Sequence, residues 1–209
     1  MPTDTAASTR TARISLAERS EIDRLDREAP PALRRHFELI RQGLRHIPGI
    51  PPDAARIEDA PTLRALALKP DIYHAWFLTE YHSAKEGEVD SGTKELLAIA
   101  ASGRNEGDEN VLCTPYHVGA ARFEGAEDEA VSAAQDFERR KGELPERQRT
   151  IVEFGLKAAY EPRSVTDADV AAVRALGLSD AALVEIVSTA LIAYNLSALN
   201  QVFDLTLDG

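Results

Sequence analysis

Two stretches, Gly92-Thr-Lys-Glu-Leu-Leu-Ala-Ile-Ala-Ala101 and Cys113-Thr-Pro-Tyr-His-Val-Gly-Ala-Ala121, decide what this chain folds into. In the first, Glu95 precedes a run of apolar residues, which predicts a helix that is buried on nearly all sides. In the second, a threonine and a proline follow the cysteine, and both residue types are typical of a helix start. The only cysteine of the chain is therefore predicted to begin a helix, four residues before His117.

Helical spacing continues through most of the sequence. Apolar residues recur three or four positions apart, and no segment alternates between apolar and polar residues as a half-buried strand does. Further helices are predicted in 14–47, 63–68, 72–84, 145–159, 166–176 and 179–205. Asp90 or Ser91 is expected to cap the buried helix, a polar loop is expected at 102–110, and Gly125 is expected to end the helix that starts at the cysteine. The chain is therefore predicted to be all-α.

The chain of 209 residues is long enough for one domain with a sizeable core. Residues 1–13 are rich in Thr, Ala and Ser without periodicity, which predicts a flexible N-terminal tail. Residues 14–209 are predicted to form a single helical domain.

A short pattern, Gly-x-x-Asp-x-Ala-aliphatic, occurs at 125–131 and again at 177–183. It follows a predicted helix in both places. The repetition indicates either a duplicated helical unit or two similar signals that stop one helix and start the next, and both interpretations stay open.

Composition limits the partners of the protein. Lys and Arg total 24 against 35 Asp and Glu, and the formal charge of -11 would repel a nucleic acid backbone. No apolar run approaches the roughly 20 residues that span a bilayer, and the N-terminus has no apolar signal core, so we expect no membrane association and a cytoplasmic protein. A single cysteine excludes an internal disulfide and fits a reducing compartment.

Cys113 and His117 are candidate catalytic residues. A helix N-terminus favours negative charge, which lowers the pKa of a thiol there, and a four-residue spacing keeps the imidazole on the same side of the helix. The alternative is that Cys113 is a small buried apolar residue. Glu95 is either an acid that acts with His117 or a first-turn residue that complements the helix dipole.

The other polar candidates are weaker. His74 and His82 are eight residues apart without a third ligand, so no zinc site is predicted. His36 and His46 lie among arginines and are predicted to be solvated. Tyr116 is predicted to pack in the core, with a place in the wall of a pocket as the alternative. The sequence has no phosphate-binding glycine loop and no dinucleotide fingerprint.

The segment from Glu95 to His117 resembles the signature of the alkylhydroperoxidase D and carboxymuconolactone decarboxylase family. In that signature a glutamate opening a buried helix precedes Cys-x-x-Cys-x-x-x-His. The likeness to the peroxidase-related branch extends over roughly residues 60–205. Counting back from His117, the second family cysteine falls on Cys113 and the first falls on Asn110, and the stretch between Glu95 and Asn110 is longer than the usual spacing.

The resemblance implies a helical-bundle fold, a homo-oligomer such as a trimer or hexamer, and no cofactor. It also implies that Cys113 attacks a peroxide, that His117 relays protons and that Glu95 is its acidic partner. Because Asn110 replaces the resolving cysteine, an external thiol has to serve as the reductant. The longer spacing makes the position of Glu95 beside His117 the least secure part of this assignment.

Three functions follow from these features. The first is a peroxidase-related oxidoreductase that reduces a hydroperoxide through Cys113, with an external thiol as the reductant. The second is a cofactor-free lyase or isomerase, like carboxymuconolactone decarboxylase, in which His117 and Glu95 move protons on a small carboxylated substrate. The third is a non-catalytic oligomeric binding protein on the same scaffold.

Overall fold

The computed structural model describes residues 12–47, 56–105 and 113–205. Within them the chain is helical and contains no β-strand. The first α-helices are α1 (Arg19–Glu28), α2 (Pro31–Leu44), α3 (Pro61–Leu66), α4 (Pro70–Glu80), α5 (Ser91–Asn105) and α6 (Cys113–Phe123). They are followed by α7 (Asp128–Gln135), α8 (Phe137–Arg140), α9 (Glu146–Tyr160), α10 (Asp167–Ala175) and α11 (Asp180–Phe203).

The N-terminal region departs from the predicted single helical span 14–47. Ala29 has extended backbone angles because it precedes Pro30, and this break separates α1 from α2. Arg13 is tied to the end of α11, since its N–H donates to the carbonyl of Phe203 at 2.9 Å. Residues 1–11 of the predicted tail lie outside the described residues, as does the proline-rich stretch 48–52.

The α5 and α6 helices form the central pair. Asp90 caps α5 by accepting a hydrogen bond from the N–H of Thr93 at 2.8 Å, as one of the two predicted caps. The prediction of a loop from residue 102 is wrong for 102–105, because α5 continues to Asn105. Ser102 is fully buried and donates to the carbonyl of Ala98 at 2.7 Å, so its hydroxyl is satisfied inside the helix. The rest of that loop, including Asn110, lies outside the described residues.

The C-terminal helices agree closely with the predicted boundaries. Thr166 and Asp169 form the capping box of α10, and Ser179 caps α11. Gly125 and Gly177, which end α6 and α10, have φ angles of 83° and 79°, a conformation that favours glycine. The α7 and α8 helices were not predicted, because they are too short to show a clear period.

The α11 helix is long and apolar enough, by length and composition, to cross a bilayer, which the sequence analysis did not anticipate. The core helix of a globular protein passes the same test. Here one face of α11 packs on α5 and α9, and Ile186, Ala190 and Ala193 are buried there.

The apolar interior has two parts. The larger cluster is built mainly by α5 to α11, and the second mainly by α1 to α4. Cys113 and Leu196, from α6 and α11, belong to the second cluster. The first turn of α6 therefore lies where the two halves of the molecule meet.

Candidate active site

The thiol of Cys113 lies in the first turn of α6 and is 5% exposed. The side-chain amide of Asn200, from the last turn of α11, donates to its Sγ at 3.1 Å. The hydroxyl of Thr62, in α3, donates to Oδ1 of the same amide at 2.5 Å. In this arrangement the amide oxygen of Asn200 faces the Thr62 hydroxyl and the amide nitrogen faces the sulfur.

His117 follows one turn later on α6 and is buried. Its Nδ1 lies 2.8 Å from Oε2 of Glu95, so α5 and α6 bring together the two residues whose proximity the longer spacing had left in doubt. The other ring nitrogen, Nε2, is buried and has no hydrogen-bond partner among the described residues. Buried polar atoms usually have a partner, so Nε2 is a candidate for exchanging a proton with a group at the cavity.

Lys85 completes the ionic part of the site. Its ammonium group donates to Oε1 of Glu95 at 2.7 Å and to Oε1 of Glu124 at 2.9 Å. The lysine ends a π-helical turn, residues 81–85, that continues α4, and such turns are frequent at functional sites.

The charges of this cluster lower the pKa of Glu95 and raise the pKa of Lys85. Burial alone would raise the pKa of Glu95, but the Lys85 ammonium and the hydrogen bond with His117 outweigh it and lower the pKa to about 2. Burial would lower the pKa of Lys85, but the two carboxylates outweigh it and raise the pKa. Glu95 is therefore an anion throughout the physiological range, and it can stabilise a positive charge on the imidazole of His117.

Cys113 and His117 line one cavity of about 100 Å³. Its wall is otherwise mostly aliphatic and aromatic, with Ile40 from α2 and Trp76 from α4 among the contributors. Tyr116 packs against the second apolar cluster and also lines the same cavity, so both of its predicted roles are present. Burial, followed by the nearby Glu80 carboxylate, raises the pKa of Tyr116 well above its ordinary value, so its hydroxyl stays protonated.

A second histidine–carboxylate pair, which the sequence analysis missed, lies at the same cavity. Nε2 of His36 and Oε2 of Glu80 are 2.7 Å apart, and Glu80 lines the cavity. The prediction that His36 is solvated is wrong, since the residue is fully buried. The signal was present, because His36 lies three residues after Leu33 and four before Ile40, on the apolar face of α2.

The remaining histidines lie away from the cavity wall. His46 is exposed, as predicted, and His82 is exposed beside Glu86 at 2.8 Å. His74 is bonded to the carbonyl of Leu25 at 3.0 Å. No group of three metal-ligating side chains occurs among the residues that the structure describes.

No protein-family model matches the sequence, and no curated protein matches it. Solved structures do share its arrangement of helices. An uncharacterised peroxidase-related protein from Ralstonia eutropha, described as an alkylhydroperoxidase AhpD core, aligns with a TM-score of 0.65 at 19% identity over 92% of this chain and 90% of its own. The chain has the AhpD-like fold.

Two further structures with the AhpD-like arrangement are similar. An uncharacterised peroxidase-related protein from a Silicibacter species has a TM-score of 0.61 at 17% identity over 70% of this chain and 75% of its own. The debrominase Bmp8, solved as a cysteine-to-alanine variant in complex with 2,3,4-tribromopyrrole, has a TM-score of 0.66 at 18% identity over 95% of this chain and 92% of its own. The predicted all-α AhpD-like fold is therefore confirmed, and identities this low concern the fold alone.

Proposed function

We propose that this protein is a cysteine-dependent oxidoreductase that reduces a small hydroperoxide inside the cavity, with an external thiol as the reductant. One observation carries the proposal. Cys113 and His117 line the same buried cavity, and the buried Nε2 of His117 has no partner among the described residues. A nucleophile and a proton acceptor at one apolar cavity are the minimum that thiol chemistry requires.

The first step is proton transfer from the Cys113 thiol to Nε2 of His117, which leaves a thiolate beside an imidazolium. The hydrogen bond from Nδ1 to the Glu95 carboxylate stabilises that imidazolium, and Lys85 keeps Glu95 ionised. The amide of Asn200 donates to Sγ, and a donor favours the thiolate over the thiol.

The thiolate then attacks the distal oxygen of the hydroperoxide. The S–O bond forms, the O–O bond breaks, and the departing alkoxide takes the proton from Nε2 of His117, giving a sulfenic acid and an alcohol. An external thiol condenses with the sulfenic acid and releases water. A second external thiol exchanges with the mixed disulfide and returns Cys113 to its reduced form. The chain has one cysteine, so both thiols come from outside.

The test combines peroxide consumption with labelling of the sulfur. Without added thiol, the protein is expected to consume hydroperoxide once per chain and to acquire a dimedone adduct at Cys113, detected by mass spectrometry. With a small thiol, consumption becomes catalytic. Cys113→Ser abolishes both results, whereas Asn200→Leu slows adduct formation because the thiolate loses a donor. An unmodified Cys113 after prolonged exposure to peroxide contradicts the proposal.

Reductive dehalogenation is a second candidate, which the similarity to a debrominase crystallised as a cysteine variant favours. In that reaction the Cys113 thiolate takes a halogen from an aromatic ring as a sulfenyl halide, and the ring carbanion takes the proton from His117. An external thiol then displaces halide and forms the mixed disulfide. Halide release from a bromopyrrole, dependent on both Cys113 and added thiol and unaccompanied by peroxide consumption, identifies this reaction.

The variants Cys113→Ser and His117→Gln distinguish the remaining alternatives. A proton-transferring lyase or isomerase keeps its activity on a small lactone or carboxylate in Cys113→Ser and loses it in His117→Gln. A non-catalytic binding protein shows neither activity and keeps Cys113 unmodified until it is unfolded.

A further inference from the structure

Glu80 brings a carboxylate to the wall of the cavity, on α4. Its side chain is 7% exposed, and it lines the same cavity as Cys113 and His117. Oε2 of Glu80 is held by Nε2 of His36 at 2.7 Å, and no described residue donates a hydrogen bond to Oε1. The cavity wall therefore contains a carboxylate oxygen that can accept a hydrogen bond from an occupant.

The surroundings of His36 define the hydrogen-bond roles in this pair. The ring is fully buried, with Phe77 and Tyr81 against it at centroid distances of 6.0 and 5.5 Å. Its Nδ1 has no partner among the described residues, so a proton there would be a buried donor without an acceptor. The proton on Nε2 of His36 is therefore the one donated to the Glu80 carboxylate, and this hydrogen bond positions the carboxylate at the cavity.

No lysine or arginine among the described residues pairs with Glu80 at the cavity. None of the described residues that line it is a lysine or an arginine. The ammonium of Lys85 is engaged by Glu95 and Glu124. The stretches that adjoin the wall in sequence, 48–55 and 106–112, contain no lysine, arginine or histidine, and their charged residues are Asp53, Glu106, Asp108 and Glu109.

We propose that the cavity takes an uncharged, compact molecule with an apolar or aromatic body and one hydrogen-bond donor, and that Glu80, positioned by His36, selects for that donor. This inference deepens the proposed function, on which it rests, by defining the class of its substrate. A carboxylated occupant would place a second anion beside Glu80 in an apolar wall and would find no cation to pair with. The hydroxyl of a neutral hydroperoxide, and the N–H or O–H of a neutral heteroaromatic or phenolic ring, meet the requirement.

Binding of three similar ligands tests the selection without any turnover. Benzyl alcohol and anisole have the same atoms, but only the alcohol donates a hydrogen bond, and benzoate is the anionic counterpart. We expect chemical-shift titration of the wild-type protein to show that affinity decreases from benzyl alcohol to anisole to benzoate. The dissociation constants of the first two should differ roughly tenfold, which is the effect of one hydrogen bond to a charged group. The order should persist at high salt, which screens the net charge of the whole chain.

Glu80→Gln keeps the shape of the side chain and removes its charge. This variant is expected to lose the preference for benzyl alcohol over anisole and to bind benzoate measurably better than the wild type does. Glu38→Gln is the matched control, because it removes one exposed negative charge from α2, the helix of His36, and should change none of the three affinities.

Anisole binding as tight as benzyl alcohol, or benzoate binding tighter than either, overturns the proposal. If Glu80→Gln fails to fold, the order of the three ligands on the wild-type protein decides the question. If the protein binds the three ligands in the expected order but Cys113 stays unmodified by peroxide, the ligand class stands and the proposed function is contradicted. The two failures are therefore distinguishable.

Discussion

Lys85 lies between two carboxylates, those of Glu95 and Glu124, with only 8% of its side chain exposed. A buried cation in this position neutralises the cluster on which the imidazole of His117 depends. Removing one partner of a buried ion pair leaves an uncompensated charge, and this costs more than the pair contributes when intact. Lys85 is therefore expected to contribute substantially to the stability of the site.

Lys85→Met is expected to lower the free energy of unfolding at pH 7 by about 3–5 kcal/mol, because Glu95 keeps a buried charge. In the wild type the lowered pKa of Glu95 contributes stability above pH 4.5 that is lost as the pH falls toward 2. In the variant the lowering by Lys85 is absent, so the pKa of Glu95 is expected to lie above its wild-type value and the variant is expected to gain stability relative to the wild type as the pH falls. The difference in free energy of unfolding between the wild type and the variant, measured by urea denaturation, should therefore become smaller from pH 7 to pH 4.

Two controls accompany this measurement. Lys141→Met removes a lysine that pairs with Glu153 at the surface, where both side chains are more than two-fifths exposed, and should cost less than about 1 kcal/mol at any pH. The double variant Lys85→Met, Glu95→Gln removes both charges and should recover much of the loss. A deficit that does not change with pH would assign the role of Lys85 to packing rather than charge.

The candidate residues Glu95, Cys113 and His117 could be predicted because they lie in one continuous segment of sequence, whereas Asn200 and Glu80 lie outside it and were missed. Cys113, His117 and Glu95 belong to two neighbouring helices with recognisable starts. Asn200 lies 87 residues from the thiol it contacts, and Glu80 lies 44 residues from His36. Helical periodicity gives the face on which a residue lies but not which remote helix packs there, so these partners follow from tertiary structure alone.

At the scale of elements, the crossing of α2 over α6 defines one side of the cavity. A Cβ atom added at Gly119 would lie 2.7 Å from the carbonyl oxygen of Gly43 and 3.0 Å from the nitrogen of Ile47. Both are backbone atoms, so the helices could accept a side chain there only by moving apart. Glycine allows the close approach that holds the first turns of α6 against the end of α2.

Gly119→Ala is expected to lower the free energy of unfolding by about 1–3 kcal/mol, the usual cost of overpacking a core, even though alanine is the better helix former. Gly103→Ala is the matched control in α5, because the added carbon would meet only Oγ1 of Thr114 at an ordinary 3.7 Å. That variant should be neutral or more stable by up to about 1 kcal/mol. Equal effects of the two substitutions in thermal denaturation would contradict the account of the crossing.

The repeated sequence pattern has a structural counterpart in both copies. Arg122 Nε donates to Asp128 at 2.8 Å across the turn at Gly125, and Arg174 Nε donates to Asp180 at 2.8 Å across the turn at Gly177. The pattern thus joins the end of one helix to the start of the next in both places. The two links agree with both interpretations of the pattern, and duplication of a larger unit stays a prediction.

At the scale of the whole molecule, α11 has an exposed apolar face opposite its buried one. Val184, Leu191 and Val202 are 66%, 44% and 57% exposed. Together with the expected homo-oligomer, this face is our proposal for the contact between copies of the chain, since an apolar stripe on a long helix is stabilised by burial.

Leu191→Glu is therefore expected to shift the protein from an oligomer toward a particle of 22.8 kDa, measured by light scattering at micromolar concentration. Leu68→Glu places the same charge at another leucine of similar exposure, 49%, and should leave the mass unchanged. A wild-type mass of one chain, or an unchanged oligomer in Leu191→Glu, would refute this assignment of the interface.

Trp76 is the only tryptophan of the chain, and it is part of the cavity wall, with the ring of Phe77 against it at a centroid distance of 4.9 Å. The emission of an indole shifts to shorter wavelength when water leaves its surroundings. With excitation at the red edge of the spectrum, every emitted photon comes from this one ring. The intrinsic fluorescence of the protein is thus an optical reading of whether the cavity is filled, and it requires neither a dye nor a substitution.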